Sequence, residues 1–121
     1  MDLRMYFLDK SEKLDLDNSK LSLIEFRNLL LQEVKESELE IEKIRVYKND
    51  KSKAQKHRIL LAQELLDVIQ ICITGLIMLT KDGIDIKLQL WKHNYKLIKE
   101  RKWKANKYIE MRVRENVDKN D

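Results

Sequence analysis

The chain reads as an all-α protein, an antiparallel helical bundle completed by oligomerisation, and three observations predict this. Among 121 residues there is no Pro and only two Gly, Gly75 and Gly83, too few turn formers for a β-rich fold. Leu, Ile, Lys and Glu dominate, the composition of long helices. Apolar residues recur at helical spacing over long stretches. The length suits one domain with a modest core.

Residues 1–17 show no clear period and carry several acids; they read as a lead-in with room for a short helix. Asp17, Asn18 and Ser19 are good N-caps, and a helical pattern starts straight after them. It runs from Leu21 through Phe26, Leu30, Val34, Ile41 and Ile44 to Tyr47, and Asn49-Asp50-Lys51 breaks it. A second helix extends from about Ser52 to Thr80, apolar from Ile59 onward, and Lys81-Asp82-Gly83 is the clearest turn. Ile84, Ile86, Leu88 and Leu90 alternate as a strand would. Ile84, Leu88, Trp91, Tyr95 and Ile98 also fit one helical face, and the sustained length favours a third helix with Trp91 and Tyr95 in the core. Beyond Lys102 the chain is basic: a fourth helix, an arm to a partner subunit, or a frayed end. This gives a lead-in of residues 1–17, a helical domain of 18–103 and a basic tail of 104–121.

The second helix is apolar on nearly every face and needs neighbours all round. One chain offers few, so a second copy is the simplest cover. A membrane span is the competing reading of Ile59 to Leu79. Glu64 and Asp67 lie inside that run, and an acid in hydrocarbon costs roughly 2.5–3.5 kcal/mol on insertion scales. A buried helix without membrane is the expectation. Met1 to Lys10 lacks the apolar core of a signal peptide. Cys72 is the one cysteine; it forms no intramolecular disulfide, suits a reducing cytoplasmic setting, and reads as a buried, inert thiol. Net charge is +4, and residues 87–107 hold eight Lys or Arg against one acid, Glu100. That stretch is read as a solvated face, with phosphate or nucleic-acid contact as the alternative.

Acids three apart are common in so charged a chain: Glu12 and Asp15, Asp82 and Asp85, Glu115 and Asp118. Position on the helix separates two pairs from these. At about 100° per residue, Phe26, Leu30, Glu33, Ser37, Ile44 and Tyr47 share one face of the first helix, with Glu36 and Glu40 at its border. On the second helix Gln63, Asp67, Gln70 and Thr74 form one polar line with Glu64 beside it. Both helices thus aim carboxylates at the place where they pack. Buried carboxylates need a partner or a metal, and four together repel until some take up protons. Salt bridges from another helix are one solution, but neither helix offers a basic residue on the right face. A divalent cation is the other. Oxygen ligands without His or Cys suit Mg²⁺, with Mn²⁺ as substitute. His57 and His93 lack ligand spacing and read as incidental. Mg²⁺ keeps positions open for water and phosphate, which points to a phosphate ester or anhydride as substrate.

With these residues in place, the chain resembles the all-α nucleoside triphosphate pyrophosphohydrolases, the MazG-like family. Their hallmark is an ExxE on one helix and an ExxD on a later one, here Glu33-Val34-Lys35-Glu36 and Glu64-Leu65-Leu66-Asp67. The strings LLLQEVKESELEIEK and AQELLDVIQICITGL are similar to the family beyond the acids, as is GIDIKLQLWKHNYKLIKERKW from Gly83 to Trp103. The resemblance covers residues 18–103. It implies Mg²⁺-dependent cleavage of an NTP or dNTP between the α and β phosphates, giving the monophosphate and pyrophosphate. By the same carry-over Glu33, Glu36, Glu64 and Asp67 are catalytic metal ligands, while Lys96, Arg101 and Asn94 meet the substrate. A homodimer or homotetramer is implied too. Many members place Glu directly before the ExxE where this chain has Gln32, and the Lys96-to-Arg101 spacing is shorter than usual. Two other classes compete: a non-catalytic helical interaction module that keeps the fold, and a nucleic-acid-binding accessory protein using residues 87–107.

Overall fold

The computed structural model describes residues 4–116, and its regular structure is mostly helical. The elements in chain order are β1 (Lys10–Ser11), β2 (Leu16–Asp17), a 3-10 turn (Asn18–Lys20), α1 (Leu23–Val46), α2 (Lys51–Lys81), α3 (Ile86–Tyr95) and a π-helical turn (Lys96–Glu100). The all-α class holds, with one small hairpin added.

That hairpin lies in the lead-in, where a short helix had room. β1 and β2 are antiparallel with Lys10 opposite Asp17 and Ser11 opposite Leu16, and Asp15 takes a positive φ of 52° between them. Asn18 ties the segment together by donating from Nδ2 to the Leu8 carbonyl at 2.8 Å. Gln70 on α2 donates to the Tyr6 carbonyl, so the lead-in lies against the second helix.

α1 starts later than Asp17–Ser19 predicts. Asp17 caps the 3-10 turn by accepting from the Ser19 amide at 3.0 Å. The N-cap of α1 is Ser22, paired reciprocally with Glu25 in a capping box (3.0 and 3.1 Å). Asp50 caps α2 by accepting from the Lys53 amide at 3.1 Å. α2 ends in a Schellman motif: Gly83 donates to Thr80 O and Ile84 to Leu79 O, both at 3.0 Å, and Gly83 has φ 88°. The left-handed conformation favours glycine there.

α1 and α2 form an antiparallel hairpin. Phe26 meets Gly75, Glu33 meets Glu64 and Asp67, and Glu40 meets His57, so one number falls as the other rises. Small side chains permit close approach: Ser37, Ala54, Thr74 and Gly75 are the buried residues of the pair. No large side chain among the described residues is fully buried. Cys72 is exposed, against expectation; α1 is the helix that packs along α2, and it leaves the Cys72 side uncovered.

The chain divides into two compact units, Met1–Ile86 and Lys87–Asp121. In the second, the helical pattern loosens at Lys96 into a π turn and stops at Arg101; Lys102 has φ 59°. The stretch from Lys102 to Asn116 forms no helix or strand. Trp91 and Tyr95 are exposed rather than core, stacked on each other with centroids 5.7 Å apart.

Candidate metal centre

α1 and α2 each bring a pair of acids to their shared seam. Each pair is spaced three apart and so lies on one side of its helix. Ligand oxygens of Glu33, Glu64 and Asp67 lie within 4.8 Å of one another. Glu33, Glu36 and Glu64 are half-buried and Asp67 is exposed, which leaves the cluster open on the Asp67 side. Glu36 is close enough to raise the proton affinity of both Glu33 and Glu64, and its Oε1 accepts from Gln32 Nε2 at 3.3 Å. Ser37 donates to the Glu33 carbonyl at 3.1 Å, which keeps its short side chain on its own helix and clears room for α2.

The electrostatics of this cluster are unrelieved. Oε2 of Glu33 and Oε2 of Glu64 are buried without a hydrogen-bond partner. Neither residue is in an ion pair among the described residues, so the salt-bridge solution has no basic partner here. Desolvation, then the charges of Glu36 and Asp67, pushes the Glu33 carboxyl up to about 7. Desolvation, then Glu36, likewise pushes Glu64 up. A set of hard oxygen donors with orphaned buried atoms fits a divalent cation. A surface hollow of about 520 Å³ lies elsewhere, lined by Glu42, Ile44, Arg45, Val46, Lys48 and Arg58 at the α1–α2 turn.

Of the seven residues singled out in the sequence, the structure therefore brings Glu33, Glu36, Glu64 and Asp67 together. The other three fall in the second unit: Asn94 is exposed near the end of α3, half-buried Lys96 opens the π turn, and exposed Arg101 caps it by donating its amide to Lys96 O at 2.9 Å.

His57, read as incidental from sequence, belongs to a built contact. Its Nδ1 lies 2.7 Å from Glu40 Oε2, and its ring stacks on Tyr47 with centroids 5.5 Å apart. The signal was available: His57 lies seven residues, two helical turns, before Glu64 and so on the same face.

Comparison of the chain with protein-family models, with curated proteins and with solved structures found no match in any of the three.

Proposed function

We propose that this protein is a metal-dependent hydrolase acting on a phosphate anhydride, built as a helical bundle with acids on two facing helices. More narrowly, we propose a MazG-like nucleotide pyrophosphohydrolase that converts an NTP or dNTP to the monophosphate and pyrophosphate. The observation that carries this is the convergence of Glu33, Glu64 and Asp67 oxygens within 4.8 Å, two buried oxygens having no partner.

Glu33, Glu36, Glu64 and Asp67 would hold Mg²⁺, or Mn²⁺ in its place. When bound, the ion supplies charge neutralisation at the phosphates and a more acidic water. The carboxylates fix its position, and the half-buried setting of Glu33, Glu36 and Glu64 limits competition from bulk water on that side. Lys96, Arg101 and Asn94 contact the substrate as cations and an amide suited to phosphate oxygens. The bundle is completed by a second copy, as a homodimer or homotetramer in the cytoplasm.

The test is to incubate the protein with Mg²⁺ and a panel of NTPs and dNTPs and to measure monophosphate and pyrophosphate. Turnover is expected for wild type and lost by at least about a hundredfold in Glu64→Gln, the usual scale for a group acting on transition-state charge. Release of orthophosphate and diphosphate would keep the metal centre and move the cleavage position. No turnover of any nucleotide would favour the non-catalytic interaction module. Nucleic-acid binding that falls steeply with salt and ignores Glu64→Gln would favour the accessory-protein reading.

A further inference from the structure

The turn end of the α1–α2 hairpin concentrates positive charge. Residues 42–58 hold seven Lys or Arg against two acids, Glu42 and Asp50, an excess larger than the +4 of the whole chain. All seven cations are exposed. Asp50 is engaged as the N-cap of α2, and Glu42 pairs with Arg45 at 2.9 Å. Lys48, Lys51, Lys56 and Arg58 have no acid partner among the described residues. Closure of the hairpin gathers charge from both helices. The Asp50 amide donates to the Tyr47 carbonyl at 2.9 Å, which keeps the connection tight. Ala54, 1% exposed, lets the start of α2 approach α1, and the 2.7 Å contact of His57 with Glu40 fixes the register. Arg58, the next residue, then lines one hollow of about 520 Å³ together with Arg45 and Lys48. Every lining residue but Ile44 is exposed, so the hollow is an open cleft.

We propose that this basic end docks the phosphodiester backbone of a duplex nucleic acid, without regard to sequence. An open cleft suits an extended polyanion better than a small ligand, which needs an enclosing pocket. Arg45 and Arg58 offer guanidinium forks to phosphate oxygens, and Lys48 a point charge. The Arg45–Glu42 pair is solvent-exposed, so it exchanges readily for phosphate. Single strands are held by bases stacked on free aromatic rings, and this segment has none to offer. Tyr47 is half-buried and stacked on His57 with centroids 5.5 Å apart, and Lys53 Nζ stands 5.2 Å from its ring centre. A lipid surface takes up a whole apolar helix face, whereas Val46 is the one exposed large apolar side chain between Glu42 and Arg58. The four acids play no part in this docking, so binding seated here leaves the hydrolase reading intact.

Fluorescence anisotropy of a labelled DNA duplex of arbitrary sequence, titrated with the full chain at several salt concentrations, tests this. Circular dichroism verifies folding. Wild type is expected to bind with Kd of about 1–100 µM near physiological salt, with log K falling against log salt at a slope of about −3. Lys48→Ala combined with Arg58→Ala should weaken binding at least about tenfold and flatten the slope by about 2. Each single change should flatten it by about 1, and the single variants decide the matter if the double variant fails to fold. Glu64→Gln should bind as wild type does, and so should Lys92→Ala combined with Lys99→Ala. An unchanged slope in the folded Lys48 and Arg58 variants overturns the inference, as does absence of binding by wild type. Binding lost in the Lys92–Lys99 variant overturns it in favour of residues 87–107 and the accessory-protein reading. Tighter binding of a single strand than of the duplex, or binding to phosphatidylserine vesicles without binding to the duplex, overturns it as well.

Discussion

At the scale of single residues, the chemistry is set by carboxylates held where solvent cannot fully relieve them. Glu33 is the clearest case, because its proton affinity has a direct thermodynamic consequence. Its carboxyl is raised from 4.5 to about 7 in the fold. Between those values the metal-free native state binds more protons than the unfolded chain, so stability falls as pH rises through the window. Glu40, held below its ordinary value by His57, acts in the opposite sense: its contribution is present above the unfolded value and is lost as pH falls through the folded one. Thermal melts in EDTA are therefore expected to show a lower Tm at pH 8 than at pH 5.5, and a flatter profile in Glu33→Gln. Mn²⁺ binds the ionised form, so its stabilisation should be larger at pH 8. Equal Mn²⁺ shifts at both pH values would argue against carboxylate ligation. Glu33 and Asp67 were legible because they interrupt otherwise apolar faces, and Glu36 and Glu64 because they complete an ExxE and an ExxD with them. Glu40 was visible only as a border residue, and its partner went unread because spacing within one helix says nothing about which residue stands opposite.

At the scale of elements, the hairpin depends on termini that are well capped and on faces that are small. Ser22→Ala removes one half of the capping box and is expected to cost about 1 kcal/mol by denaturant unfolding. The close approach of α2 to α1 is most acute at Gly75, where an added Cβ would sit 2.5 Å from Phe26 Cζ. Alanine in place of a mid-helix glycine ordinarily stabilises by roughly 0.5–1 kcal/mol. Here that gain should vanish or reverse, and should reappear when Phe26 is also changed to Ala. A double-mutant cycle is expected to give a coupling of about 1 kcal/mol or more; additive effects would mean the ring moves aside freely. The bodies of α1 and α2, the break before Asp50 and the stop at Gly83 were legible, because periodicity and turn chemistry are local. The start of α1 was not: Asp17, Asn18 and Ser19 are caps in composition, but Ser22 has the Glu three residues on that completes the box. The β1–β2 hairpin was hidden because its turn uses Asp15 at positive φ instead of glycine. The π turn at Lys96–Glu100 follows from no local residue signal, since Tyr95 and Ile98 continue the apolar pattern through it.

At the scale of the molecule, the hairpin lacks a core of its own. Ala54 is its one buried apolar side chain, at 1% exposure, while Leu65, Leu66 and Ile69 on α2 are 47%, 53% and 46% exposed. α2 is also long and apolar enough to cross a membrane, with mean hydropathy 1.7 over its most apolar window and 11% of that window buried. Two environments satisfy such a surface: lipid, or more protein. The acids discriminate between them. Glu64 and Asp67 sit mid-helix beside Glu33 and Glu36 with no basic partner among the described residues, and four carboxylates at membrane depth would add several kcal/mol each. Against protein, the same apolar side chains are stabilised by about 25 cal/mol per Å² buried, and the carboxylates keep access to water and cations at the open, Asp67 side. The expected outcome is an assembly of two or four chains at micromolar concentration in detergent-free buffer, measured by sedimentation equilibrium. Leu66→Glu together with Ile69→Glu should shift it to single chains and lower its Tm, because the charges desolvate at the interface. A wild-type protein that stays a single chain in buffer, or partitions into neutral phosphatidylcholine vesicles, would instead place the apolar face of α2 against lipid and remove the second copy from the proposed enzyme.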